Sequence, residues 1–91
     1  MALRYKQVMQ ALNAYHSVPP DEASAFAGRV KHLQRLKFPP GVNVGPGAPA
    51  NYGVDQVMML VIATDLMRHG LKPTVAIHLV LRGWEHLKPY L

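Results

Sequence analysis

The chain has 91 residues, of which 49% are hydrophobic and 16% are charged. This length suits one domain, and the composition is too apolar for a disordered chain, so a single domain over residues 1–91 is predicted. A formal net charge of +5 favours a polyanionic partner such as nucleic acid, although a basic protein without such a partner fits equally well. The lack of cysteine excludes disulfides, thiolate zinc sites and cysteine nucleophiles. No apolar stretch approaches the ~20 residues that span a bilayer, so a soluble protein without a membrane partner is expected.

Prolines and glycines divide the chain into four segments that have helical periodicity. The first helix is predicted over residues 3–14. The second begins near Pro20 or Asp21, because proline suits a first helical turn, and it ends before Pro39. The third is predicted over residues 54–69 with a glycine C-cap at Gly70, and the fourth from residue 73 to 88. The expected fold is therefore mainly α.

The same periodicity predicts which side of each helix packs into the core. In the third helix, apolar residues lie on nearly all sides of the axis. Met59 and Met67 fall outside the predicted core side of this helix and are expected to be buried elsewhere. The fourth helix is expected to direct Leu81 and Trp84 inward. The other residues predicted to face the core are Tyr5, Val8, Leu12, Tyr15, Phe26, Val30, Leu33, Val54, Val57, Met58, Leu60, Val61, Leu66, Ile77 and Val80.

The segment from residue 41 to 52 contains too much proline and glycine to be helical. A short β-hairpin is one interpretation, with strands at residues 42–44 and 51–52 and a turn at residues 45–47. An irregular linker fits the composition equally well.

The second predicted helix carries a basic face opposite its apolar face. Residues 28–37 contain four cations and no carboxylate. A helix that reads the major groove needs one packed side and one side with donors for phosphates and base edges. An ordinary solvated face would show the same pattern. The basic face comprises Ser24, Gly28, Lys31, His32 and Arg35, flanked by Arg29 and Lys37.

Three stretches resemble the MerR-like winged helix-turn-helix regulators. Residues 29–41 (RVKHLQRLKFPPG) resemble the exit of the recognition helix into a hydrophobic-Pro-Pro corner. Residues 51–57 (NYGVDQV) resemble the exit of the wing, and residues 69–73 (HGLKP) the break before the next helix. The family's long dimerisation helix and effector domain have no counterpart before Leu91. In this respect the chain is similar to the small excisionases, or recombination directionality factors, of mobile elements.

The resemblance implies a sequence-specific double-stranded DNA-binding protein that is not an enzyme and that acts in excision, transcription regulation or both. It implies a bacterial cytoplasmic, nucleoid-associated protein that self-associates on DNA, with an integrase as a further partner. Groove contacts are expected at Lys31, His32 and Arg35. Phosphate contacts are expected at Arg29, Lys37, Arg4 and Lys6. The wing lacks cations and would contribute Asn43, Gly45, Gly47 and Asn51. Self-association is expected through Met59, Met67, Trp84, Tyr90 and Leu91.

Neither a metal nor a cofactor is predicted. The carboxylates are dispersed, and no glycine-rich phosphate loop precedes a helix. The alternative function is a protein interaction module whose apolar surface binds a partner and whose basic charge is incidental. The histidines lack ligand spacing and are interpreted as scattered: His16, His32, His69, His78 and His86.

Overall fold

The computed structural model describes residues 3–42 and 51–90. The fold is mainly α, as predicted. Helix α3 packs against α1 and α4, and α2 packs against α4. The four helices are α1 (Tyr5–His16), α2 (Ala23–Arg35), α3 (Val54–Arg68) and α4 (Pro73–Leu87), with 3-10 helices at Pro20–Glu22 and Lys88–Tyr90.

The helix starts follow the proline signals only in part. Helix α4 begins at Pro73, as predicted, because proline needs no hydrogen-bond acceptor in a first turn. At Pro20, however, the chain forms one 3-10 turn, and α2 begins three residues later at Ala23. Helix α1 begins at Tyr5 and ends at His16, so both of its ends lie two residues later than predicted.

Helices α1, α2 and α3 end in the same way. In each, the first or second residue after the helix adopts a left-handed conformation, and the next N–H donates back to a carbonyl of the last turn, as in a Schellman motif. Gly70 takes this position after α3, as the sequence predicted, with φ of 99°. Ser17 and Lys37 take it after α1 and α2, with φ of 51° and 61°. The closing hydrogen bonds run from Val18 to Asn13, Phe38 to Leu33 and Leu71 to Leu66.

The core is formed by residues from all four helices and from the segments that flank α2 and α3. The predicted face of α2 is confirmed, but the faces of α3 and α4 differ from the prediction. Val54 is 57% exposed and Leu81 is 45% exposed, whereas Met59 is buried. Tyr15, also expected inside, is exposed. The buried apolar residues are Val8, Leu12, Phe26, Val30, Leu33, Phe38, Tyr52, Met59, Leu60, Ala63, Ala76, Val80 and Trp84.

Among the described residues, a single antiparallel β-bridge joins Leu3, just before α1, to Tyr52, just before α3. Leu3 and Tyr52 exchange both backbone hydrogen bonds, each with an N···O distance of 2.8 Å. The described residues contain no named strand. Most of the predicted hairpin lies outside the described residues.

Within residues 3–42 and 51–90, no helix is both long enough and apolar enough to cross a membrane.

Candidate nucleic-acid interface

Helix α2 has one fully buried side and one fully exposed side. Phe26, Val30 and Leu33 are buried in the core and fix the rotation of the helix about its axis. The residues on the opposite side are all exposed, and they are the residues that the sequence assigned to the groove: Ser24, Gly28, Lys31, His32 and Arg35. A Cβ atom added at Gly28 would meet no other atom within 4 Å, so the backbone there is open to close approach.

The cations of α2 have no carboxylate partners among the described residues. The charged contacts there are Asp65–His69 at 3.9 Å, at the end of α3, and Asp55–Lys88 at 3.7 Å, between α3 and the 3-10 helix after α4. The positive charge of α2 is therefore not neutralised within this part of the protein. Charge of this kind is available to attract a polyanion.

One flank of the α2 face borders the start of α1. A surface cleft of about 510 Å³ lies there, lined by Tyr5, Lys31, Gln34 and Arg35. Gln34, one of these lining residues, donates a hydrogen bond of 2.6 Å from Nε2 to the Tyr52 hydroxyl. Burial raises the pKa of the Tyr52 phenol, so the phenol stays protonated at neutral pH. Sequence periodicity assigned Tyr5 only to the core and gave no role to Gln34.

Arg29 lies on the other flank. At 100° per residue it is about 120° around the helix from Arg35. A separate polar cleft of about 200 Å³ contains it, together with Glu22, Met67 and Arg68. The sequence grouped Arg29 with the groove-facing residues, but the fold places it beside the end of α3.

Lys37 follows α2 in the left-handed conformation described above and is exposed. Arg4 precedes α1, and its backbone N–H donates to Gln7 Oε1 at 2.9 Å. Lys6 lies in the first turn of α1 and is exposed. These three cations are exposed and therefore remain accessible for phosphate.

Of the residues predicted for the wing, only Asn51 is described, and it is exposed. Asn43, Gly45 and Gly47 lie outside the described residues. The corner before this segment is well fixed: Pro40 accepts a hydrogen bond of 3.3 Å from Gln56 Nε2, and Gly41 has φ of 87°.

The residues predicted for self-association divide between the interior and the surface. Met59 and Trp84 are each only 8% exposed and belong to the core of the single chain, so they are not the free apolar surface that was expected. Met67 is partly buried, Tyr90 is 87% exposed, and Leu91 lies outside the described residues.

Apolar surface is present, but at other residues. A cleft of about 230 Å³ between α3 and α4 is lined by Ile62, Leu66, Leu79, Val80 and Leu87. Leu79 and Leu87 are exposed there, and Val75 is exposed one turn before Leu79 on α4. Val75 and Leu79 have i, i+4 spacing in the sequence, but the prediction did not single out the side of α4 on which they lie.

His16 is the one histidine with a distant side-chain partner among the described residues. Its Nε2 lies 2.8 Å from Thr64 Oγ1, and its ring meets the edge of Phe26. The other histidines are exposed: His32, His69, His78 and His86. No group of three or more potential metal ligands occurs in the described part of the chain.

Comparison of the chain with protein-family models, with curated proteins and with solved structures finds no match. The residues of α2 and their surroundings are therefore the basis for a functional proposal.

Proposed function

We propose that the chain binds double-stranded DNA through the exposed face of α2. The observation that carries this proposal is the set of cations on that face without carboxylate partners in the described residues. The buried side of α2 holds the helix in place, and the exposed side presents donors, as groove recognition requires. Lys31, His32 and Arg35 are the proposed contacts, with Lys37, Arg4 and Lys6 binding phosphates near them.

The resemblance to MerR-like proteins extends this proposal to a winged helix-turn-helix of the excisionase type. The wing would be a hairpin within residues 42–52, with Asn43, Gly45, Gly47 and Asn51 contacting the backbone of the duplex. The protein would act beside an integrase in excision or would regulate transcription, in the bacterial cytoplasm. Several copies on adjacent sites would supply the affinity that a wing without cations does not provide.

The experiment measures binding to a labelled DNA duplex by fluorescence anisotropy while salt is raised from about 50 to about 200 mM. For each phosphate that a cation neutralises, the slope of log K against log salt changes by about 0.9. The double variant K31A/R35A should bind at least about tenfold more weakly and should lower that slope by nearly 2.

The matched control is Arg82→Ala, which removes a cation from the exposed side of α4 and leaves α2 intact. It should change neither affinity nor slope appreciably. Failure of the wild-type protein to bind any duplex at low salt would refute the proposal.

The alternative is a protein interaction module that uses the apolar cleft between α3 and α4. The exposure of Leu79 and Leu87 at that cleft favours it. Apolar association responds little to salt, whereas DNA binding weakens steeply. The salt titration therefore separates the two functions.

A further inference from the structure

The cleft of about 510 Å³ beside the start of α1 carries charge of one sign. Lys31 and Arg35 from α2 line it together with Tyr5 from α1 and Gln34, and none of these side chains is acidic. A cleft with this lining concentrates positive potential and attracts a single anionic group more strongly than a flat surface does.

Tyr5 is the unusual member of this lining. Its hydroxyl is buried and has no hydrogen-bond partner among the described residues. Burial raises the pKa of this phenol, so the group is a neutral O–H donor at physiological pH. A buried donor without a partner is unfavourable, which makes the hydroxyl ready to donate to an incoming acceptor.

The neighbouring polar groups do not meet this need. Gln34 Nε2 donates to the Tyr52 hydroxyl at 2.6 Å, which holds the amide of Gln34 beside Tyr52. Lys31 and Arg35 can only donate, so neither can accept from Tyr5. Lys31 and Arg35 therefore present charged donors at the cleft, and the buried Tyr5 hydroxyl behind its lining still needs an acceptor oxygen.

We propose that Tyr5, Lys31 and Arg35 together bind one backbone phosphate of duplex DNA, with the Tyr5 hydroxyl donating to a phosphate oxygen. A phosphate carries one negative charge and several acceptor oxygens, which matches two cations and a neutral donor. The exposed side chains of Lys31 and Arg35 can rotate to admit it. The inference rests on the proposed function, and it assigns Arg35 to the DNA backbone. Base contacts then fall to Ser24 and His32, and Gly28 permits close approach of the helix.

The test is Tyr5→Phe, which removes the hydroxyl and keeps the ring. Because a phosphate contact is independent of sequence, any duplex serves as the probe. Y5F should bind about tenfold to a hundredfold more weakly at low salt, as expected for loss of a hydrogen bond to a charged group. Its salt slope should equal that of the wild type, since no charge is removed, whereas K31A should lower the slope by about 1.

Tyr15→Phe is the matched control, since Tyr15 lies on the same helix and is exposed. It should bind as the wild type does. Y5F should also keep or slightly raise the Tm, because it removes an unpartnered buried hydroxyl. Circular dichroism at the binding temperature verifies that the variants compared are equally folded.

A double-mutant cycle keeps the inference falsifiable if Y5F changes stability. When two groups bind the same phosphate, the loss caused by Y5F should be smaller in the K31A background than in the wild type. Additive losses, or wild-type affinity of Y5F, would overturn the shared phosphate and leave DNA binding by α2 intact. If the wild-type protein binds no duplex, both proposals fail together.

Discussion

His16 connects three helices through one imidazole ring. Thr64 Oγ1 donates to the Leu60 carbonyl at 2.6 Å within α3, so its hydroxyl proton is engaged. His16 must then donate from Nε2 to Thr64, which fixes the neutral Nε2–H tautomer. The ring also packs edge-on against Phe26 of α2. The end of α1 is therefore attached to α3 and α2 through this ring.

Burial lowers the pKa of His16 below its ordinary value of 6.5, and Arg68 lowers it further, while Asp65 partly opposes the shift. The unfolded chain thus takes up a proton at this site at a higher pH than the folded chain. Stability from the neutral ring is complete above about pH 6.5 and is lost as pH falls through the lowered pKa. We expect the urea midpoint of the wild type to fall between pH 7 and pH 5, and that of His16→Gln to fall less.

The appropriate control is His78→Gln, at an exposed position on α4. It should leave the pH profile of the wild type unchanged. The comparison uses the change in midpoint with pH, so a constant loss of stability in H16Q does not affect it. Profiles of wild type and H16Q that run parallel would contradict the role assigned to His16.

Residue-level predictions from the sequence succeeded where a single helix decides the outcome. The exposure of Lys31, His32 and Arg35 followed from the periodicity of α2 alone. The partners of His16 and Tyr52 did not follow, because Thr64 lies 48 residues from His16 and Gln34 lies 18 residues from Tyr52. No local pattern encodes a contact at that separation.

At the scale of elements, α2 contains an interior glycine that does not contribute to the stability of the helix. Gly28 is in the interior of α2, is exposed and has open space around its Cα. Gly28→Ala should therefore raise the free energy of unfolding by roughly 0.5–1 kcal/mol through helix propensity. For a domain of this size that corresponds to a rise in Tm of several degrees, about 4–8 °C per kcal/mol.

The same substitution should weaken DNA binding if the backbone at Gly28 approaches the duplex closely. Gly83→Ala in α4 is the control, since its Cβ would meet only Leu87 Cδ1 at an ordinary 3.7 Å. It should stabilise the protein without changing its affinity for DNA. Unchanged affinity in Gly28→Ala would show that the duplex does not approach this position.

The helix boundaries were predictable to within a few residues because proline, glycine and terminal charges mark them locally. The orientation of α3 was not. Its apolar residues surround the axis, so the sequence offers no polar side to point outward, and the contacts with α1 and α4 decide that Met59 is buried and Val54 is exposed. The left-handed conformation of Lys37 was also missed, because no glycine or asparagine marks it.

At the scale of the whole molecule, the apolar cleft between α3 and α4 has no lining residue from α2. Leu79 lines the cleft between α3 and α4 and is exposed, so Leu79→Asp should leave the fold nearly intact. If copies contact one another through this cleft, the variant should sediment as a monomer under conditions in which the wild type associates. On a long duplex it should lose the stepwise ladder of shifted complexes expected of the wild type.

Val54→Asp tests the specificity of that result. Val54 is an equally accessible apolar residue at the start of α3 and lies outside the cleft. Its variant should assemble as the wild type does. Equal assembly of the Leu79→Asp variant would rule out the cleft as a contact between copies.

The global arrangement depends on one connection that the sequence did not suggest. The prediction gave residues 51–52 a partner only at residues 42–44, most of which lie outside the described residues, and did not include the bridge from Tyr52 to Leu3 near the start of the chain. Local turn chemistry carries no information on that bridge, because it is the fold that brings the start of α1 against the start of α3. The predicted mainly α class was secure because it needed no such long-range information.

Trp84 is the only tryptophan in the chain, and it lies buried in α4 beside Met58. The ion pair between Asp55 and Lys88 lies at the same place. The near-ultraviolet fluorescence of Trp84 therefore originates from the contact between α3 and α4, whereas α2 contains no tryptophan. A change of emission wavelength on adding a ligand would report movement of α4, and an unchanged spectrum with a bound ligand would locate binding elsewhere. Trp84 is thus an intrinsic fluorescent probe on α4, whereas the cationic face is on α2.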